Sequence, residues 1–201
     1  MTVQVRSETM TGSPIPDWLV PPPEGFFAED LDHLPDLPAH TELIDGSLVF
    51  VSPQKDFHSV IIDVLVAALR RCAPRGLRVR REMSVVLGPR QRPEPDIVIL
   101  RAGVPSGPDI TAYRAEDVLL VIEVVSPDSE TRDRERKPQL YAAAGIRHFW
   151  RVEQNVGRAT VYVYELDPAV GSYSPMGIHH DKLRLTVPFE MDVDLTEIDG
   201  L

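Results

Sequence analysis

The chain has 201 residues and one cysteine, enough length for a single sizeable hydrophobic core and no means of building an internal disulfide framework. A net charge of −10 weighs against a nucleic-acid binder that is basic all over. There is no apolar run of about 18 residues or more and no basic-then-apolar leader, so a membrane span and export are not indicated and a cytoplasmic protein is expected.

Residues 1–25, with S-P-I-P-D-W-L-V-P-P-P, read as a mobile or extended arm ahead of a single domain over 26–201. Phe26, Phe27, Leu31 and Leu34 recur at helical spacing before Pro35 stops them. Glu42 to Val51 reads as a hairpin, with Asp45-Gly46 as the positive-φ turn. From Phe57 to Cys72 the apolar residues fall on one helical face, with Asp56 placed to cap it and His58 off the apolar stripe in the first turn.

Leu77 to Leu87 alternates and is expected to be one strand. Pro95-Asp96 opens a short apolar strand, Ile97 to Leu100, and a Pro/Gly loop follows from Gly103 to Thr111. The run Val118 to Val125 reads as a strand buried on both faces, and one residue breaks it: Glu123. After Ser126-Pro127 a helix is expected, with Gly145 as its left-handed stop; Asp133 could cap it if the regular part begins near Arg134 or Glu135, which would place Pro138 in the first turn. Strands are expected at His148 to Val152, Thr160 to Leu166 and Leu183 to Val187, and the C-terminal D-V-D-L-T-E-I suits an edge strand or a short helix.

Stripping water from a carboxylate costs several kcal/mol unless the group is paired, bound to a cation or protonated, so Glu123 needs a reason to be where it is. A buried ion pair with an arginine is one. A metal site is the other, because phosphodiester hydrolysis uses a divalent cation, Mg²⁺ by preference, held by carboxylate oxygens with open water positions. Asp96 and Glu123, at the ends of neighbouring strands, could share such an ion, with the backbone carbonyl of Val124 as a further ligand. Mn²⁺ could substitute. Taken alone, Asp96 is also an ordinary turn residue after a proline.

The charge is unevenly spread. From Arg70 to Arg101 nine arginines stand against Glu82, Glu94 and Asp96, and from Glu130 to Arg158 seven basic residues against four acidic ones. These segments could form a basic face, or they could simply keep exposed strands soluble.

Pro95-Asp96 followed by Glu123-Val124-Val125 resembles the PD-(D/E)XK motif. The wider set is similar to the Uma-two family of that nuclease superfamily: E-L-I-D-G, S-P-x(4)-H, P-D-I-V-I, V-I-E-V-V-S-P-D-S, D-R-x-x-K-x-x-x-Y-A-x-A-G-I and F-W-R-V, covering roughly Phe26 to Glu153. The resemblance implies an α/β (α+β) fold with a restriction-endonuclease-like core. That core runs helix, strand, strand, strand, helix, strand, with a mixed central sheet flanked by helices, an N-terminal hairpin and extra C-terminal strands. It also implies a Mg²⁺-dependent DNA endonuclease leaving 5′-phosphates, and a homodimer.

The lysine of the motif is replaced by Val125, and the resemblance moves its role to Lys137, on the same helix face as Tyr141. Glu42 and His58 match positions that recur in the family, Glu42 as a second carboxylate or an orienting group, and Glu82 is a weaker candidate. A nuclease acting on RNA or structured DNA, and an inactive nuclease fold kept as a binding or regulatory module, stand as alternatives.

Overall fold

The apolar run forms a strand at Val118–Val124, the central element of a computed structural model that describes residues 16–200. In chain order the elements are β1 (Glu42–Ile44), β2 (Ser47–Val49), α1 (Asp56–Cys72), β3 (Arg78–Arg81), β4 (Ser84–Val86), β5 (Ile97–Leu100), β6 (Ala112–Arg114) and β7 (Val118–Val124). Then come α2 (Lys137–Ala143), β8 (His148–Asn155), β9 (Arg158–Asp167), β10 (Ser172–His179), β11 (Lys182–Leu185) and β12 (Met191–Asp194). The expected helix, strand, strand, strand, helix, strand is met by α1, β3, β5, β7, α2 and β8.

One sheet runs β10-β9-β8-β7-β5-β3. β7 and β8 are parallel and joined through α2, while the other neighbours are antiparallel. Strand alternation divides the core. Ile97, Ile99, Leu120, Ile122 and Val124 pack with Ile61, Ile62, Leu65 and Leu69 of α1. Val98, Leu100, Val121 and Phe149 pack on the opposite face with Tyr141 of α2. Glu123, out of phase with Ile122 and Val124, therefore belongs to the α2 face.

Several local expectations are corrected. Leu77 to Leu87 is two strands: Glu82 takes a left-handed φ of 51°, and β4 leaves the sheet to pair in parallel with β6. Asp56 is not the cap of α1; Lys55 holds that position, with no side-chain cap. Phe26 to Leu34 forms only a 3-10 turn at Ala28–Asp32. The strand expected at Leu183 to Val187 is Lys182–Leu185, and the C-terminus supplies both an edge strand, β12, and a 3-10 turn at Leu195–Gly200. β10 has no signature in the sequence because it is an edge strand with no buried residue and so no apolar alternation to read. Of the expected arm, residues 1–15 lie outside the described residues. Among those described, no helix is long and apolar enough to cross a membrane.

The hairpin turn is as expected, with φ of 54° at Asp45 and 76° at Gly46. The Arg90 guanidinium lies where a Cβ on Gly46 would go. Gly46→Ala is expected to cost about 1–3 kcal/mol from backbone strain, measured by urea denaturation; an unchanged midpoint would contradict this reading of the turn.

Candidate active site

Glu123 lies near the carboxyl end of β7 and is only 1% exposed. Two groups of α2 reach it. The Tyr141 hydroxyl donates to Oε1 at 2.5 Å, and Lys137 Nζ donates to Oε2 at 3.2 Å. The partner is thus a lysine and not an arginine of the basic segments, and the shared face of Lys137 and Tyr141 is the one turned to the site.

Lys137 is itself buried and is ringed by three carboxylates, with Glu42 Oε1 at 2.8 Å and Glu123 Oε1 and Asp133 Oδ1 each at 3.2 Å. Val125 is two residues beyond Glu123, on the same face by alternation. The ammonium missing at that position enters the cleft from the helix instead.

Pro138 helps explain how the lysine arrives. It offers no N–H to the carbonyl four residues back, and its ring crowds that carbonyl. The preceding segment, Arg132–Arg136, widens into a π turn in which the Lys137 N–H reaches back to the Arg132 carbonyl. Helical backbone begins at Glu130, so Asp133 is not the expected cap. It is buried inside the turn with its carboxylate beside the Lys137 ammonium, four residues on.

Asp96 sits at the mouth of β5. Its Oδ2 accepts the Val124 N–H at 2.6 Å, which ties it to the residue after Glu123, and its Oδ1 lies 3.0 Å from His58 Nε2. His58 is buried, turned toward the site from the first turn of α1. Glu42 Oε1 also accepts the Glu94 N–H at 2.8 Å, and Glu94 in turn meets His40 Nδ1 at 2.5 Å. All of these line one cleft of about 790 Å³, with Glu82, Lys55 and Arg132 also on its wall.

The electrostatics are uneven. Burial opposes the Lys137 ammonium, but Asp133, Glu123 and Glu42 more than offset it and hold the group well above the ordinary lysine range. Burial pushes the Glu123 carboxyl well above the ordinary carboxylate range; Lys137 opposes this, while Asp133, Asp96 and Glu42 reinforce it. Asp133 is raised for the same first reason, again opposed by Lys137. Three carboxylates share one ammonium, and the surplus negative charge calls for a proton or a further cation.

The donor set fits a hard divalent cation. It is made of carboxylate oxygens, which suit Mg²⁺ or Mn²⁺, and the three carboxylates around Lys137 share a single ammonium. Among the described residues no three His, Cys, Asp or Glu side chains form a ready-made cage. An ion held here would therefore draw on water and backbone oxygen as well.

Sequence reasoning missed the Asp133 carboxylate and the bond from Tyr141 to Glu123. Their signal was the D-R-x-x-K-x-x-x-Y spacing, which places Asp133, Lys137 and Tyr141 at successive four-residue steps. Tyr141→Phe removes a buried donor from Glu123 and is expected to cost about 1–3 kcal/mol in urea denaturation; unchanged stability would contradict that bond.

A family model described as "Uma2: Putative restriction endonuclease" matches residues 28–196. Among solved structures, the chain is similar to "a putative nuclease belonging to DUF820" from Anabaena variabilis ATCC 29413, with a TM-score of 0.66 and 17% identity over 86% of this chain and 96% of that one. That likeness supports the fold. No curated protein matches the chain.

Proposed function

The chain belongs to the Uma2 restriction-endonuclease family, and from that premise we propose that it is a Mg²⁺-dependent endonuclease hydrolysing DNA phosphodiester bonds. The observation that carries this reading is the position of Lys137, donating to Glu123 from the following helix while Asp96 is tied to the Val124 amide. The three functional groups of the motif meet in one cleft although the lysine has left its usual place in sequence.

Asp96 and Glu123 would hold the ion, with the Val124 carbonyl as a further donor. When bound, the ion supplies charge neutralisation on the scissile phosphate and acidifies a water. His58, beside Asp96 Oδ1, and Tyr141, on Glu123 Oε1, orient those two carboxylates. Glu42 and Asp133 keep the Lys137 ammonium at the cleft floor, where it stabilises charge developing on the phosphoryl oxygens. Lys137, held among Glu42, Glu123 and Asp133, acts as a donor to water or phosphate. Arg132, on the cleft wall, has a buried Nε with no partner among the described residues, and its guanidinium is the natural grip for a flanking phosphate. Cutting both strands of a duplex calls for two such clefts, so a homodimer is part of the proposal.

The test is cleavage of supercoiled DNA, linear duplex and RNA with Mn²⁺. The wild type is expected to cut DNA and leave 5′-phosphates, and Asp96→Asn to be inert. Equal cutting by the variant would overturn the site, and cutting of RNA alone would overturn the substrate. A second reading, an inactive binding module, is favoured by the Lys137 ammonium already standing between Glu42, Glu123 and Asp133, and it predicts duplex binding without cleavage.

Metal binding should also depend on pH. Burial raises Glu123, so at lower pH the ion must displace a proton from it. Mn²⁺ affinity is therefore expected to rise as pH rises, with proton release on binding. A flat profile would contradict Glu123 as a ligand.

A further inference from the structure

The basic face expected from two segments is not built that way. In the segment from Glu130 to Arg158 most cations already have partners: Arg134 and Arg151 pair with Glu153, Arg136 with Asp45, Arg147 with Glu165 and Arg158 with Asp181. In the first segment Arg92 is buried with both outer nitrogens on Asp32 at 2.8 Å, and Arg81 is paired with Asp63.

Four arginines are different. Arg70, Arg75, Arg78 and Arg80 border one open hollow of about 330 Å³ at the C-terminal end of α1 and along β3, with Gly76 at the turn and no acidic residue on its wall. None of the four makes an ion pair among the described residues, although Asp63 and Glu82 lie close enough to pair with the neighbouring Arg81. Arg78 donates to the Val104 carbonyl and Arg80 to the Val79 carbonyl, contacts that orient each guanidinium and leave other N–H groups of the fork open.

Four cations border one hollow at the sheet edge with no acidic residue on its wall, and a bound polyanion would supply the missing counter-charge. The location says which one. β3 is the last strand of the sheet, so no further strand covers its outer side. Arg78 and Arg80 pair with Leu100 and Val98, whose side chains lie on the α2 face, the face from which Glu123 meets Lys137. Following β3 forward leads to Glu82, on the wall of that cleft. At about 3.3 Å per residue, Arg78 stands about 13 Å from Glu82 along the strand, the axial length of about four base-pair steps.

We infer that the hollow of Arg70, Arg75, Arg78 and Arg80 is a second, non-catalytic anion site that holds the phosphate backbone of a nucleic acid whose scissile phosphate lies in the cleft. The inference rests on the nuclease reading for its geometry. It also gives a chain of net charge −10 a local grip on a polyanion, four arginines at one sheet edge without ion-pair partners among the described residues.

The test uses full-length protein, Ca²⁺ in place of Mg²⁺ to hold duplex without cleavage, and fluorescence anisotropy across a salt series. Arg70→Gln combined with Arg75→Gln, both exposed positions, is expected to weaken duplex binding about tenfold and to lower the slope of log affinity against log salt by about 2. Mn²⁺ affinity and melting temperature should stay at wild-type values, which separates lost contacts from lost folding. A second variant, Arg75→Glu, should weaken binding further.

A wild-type slope and affinity in the double variant would overturn the inference. So would saturable binding of inorganic phosphate that leaves duplex affinity unaffected, since it would mark a small-anion site. If the wild type binds duplex but never cuts it with Mn²⁺, the nuclease reading falls while the difference in slope still upholds the arginine track. If it cuts duplex and the variant keeps the wild-type slope, the track falls alone.

Discussion

Replacing Lys137 with methionine is expected to lower stability by about 3–5 kcal/mol in the absence of divalent cation and to abolish cleavage. Methionine keeps most of the apolar stem, so the loss is not mainly one of volume. What disappears is the cation shared by Glu42, Glu123 and Asp133, each no more than 2% exposed. A divalent ion in the cleft would restore part of the missing charge. Mg²⁺ is therefore expected to stabilise Lys137→Met more than it stabilises the wild type. Urea denaturation with EDTA and with Mg²⁺ measures both effects, and a variant as stable as wild type in EDTA would contradict the charge coupling. Lys137→Arg should not rescue activity, because the rigid guanidinium fork cannot replace a compact ammonium in so closed a space.

Glu123→Gln is expected to act oppositely on stability while destroying activity equally. A carboxyl raised above its unfolded value stabilises the fold below that value, near pH 4.3, and the contribution is lost as pH rises through the folded pKa. Above that range the wild type carries a buried charge that glutamine lacks, and Lys137 keeps Glu42 and Asp133 as partners. The variant should therefore match the wild type near pH 4.3 and exceed it by about 1–4 kcal/mol at neutral pH. Metal affinity should fall about 100-fold or more. A stability difference that shrinks with rising pH, or a variant that still cleaves, would contradict Glu123's role.

Features of the fold and site with a local signature are legible in the sequence. A lone acid inside V-L-L-V-I-E-V-V marked Glu123, and a carboxylate opening I-V-I-L marked Asp96. Lys137 became a site residue through the family resemblance, since in isolation it is one charge among E-T-R-D-R-E-R-K. Less legible were features settled at long range. The Lys137 to Glu42 contact joins the first hairpin to the helix after β7, and no periodicity predicts it. The π turn ahead of Pro138 is not visible in a regular 3.6-residue pattern, and helical backbone from Glu130 puts Asp133 inside the helix and not at its cap. Likewise, Glu82 breaks an alternating run by taking a left-handed φ that its side chain does not advertise. The charge count was legible and its use was not, because only the fold shows which arginines are already paired.

The most direct test of the central claim is a calorimetric titration of the purified chain with Mn²⁺ and Mg²⁺. The expected result is a saturable site that takes up the ion with release of a proton and is lost in both Asp96→Asn and Glu123→Gln. A wild type that binds neither ion, or variants that bind as well as wild type, would leave Asp96, Glu123 and Lys137 as a buried ion-pair network in a nuclease fold without the chemistry.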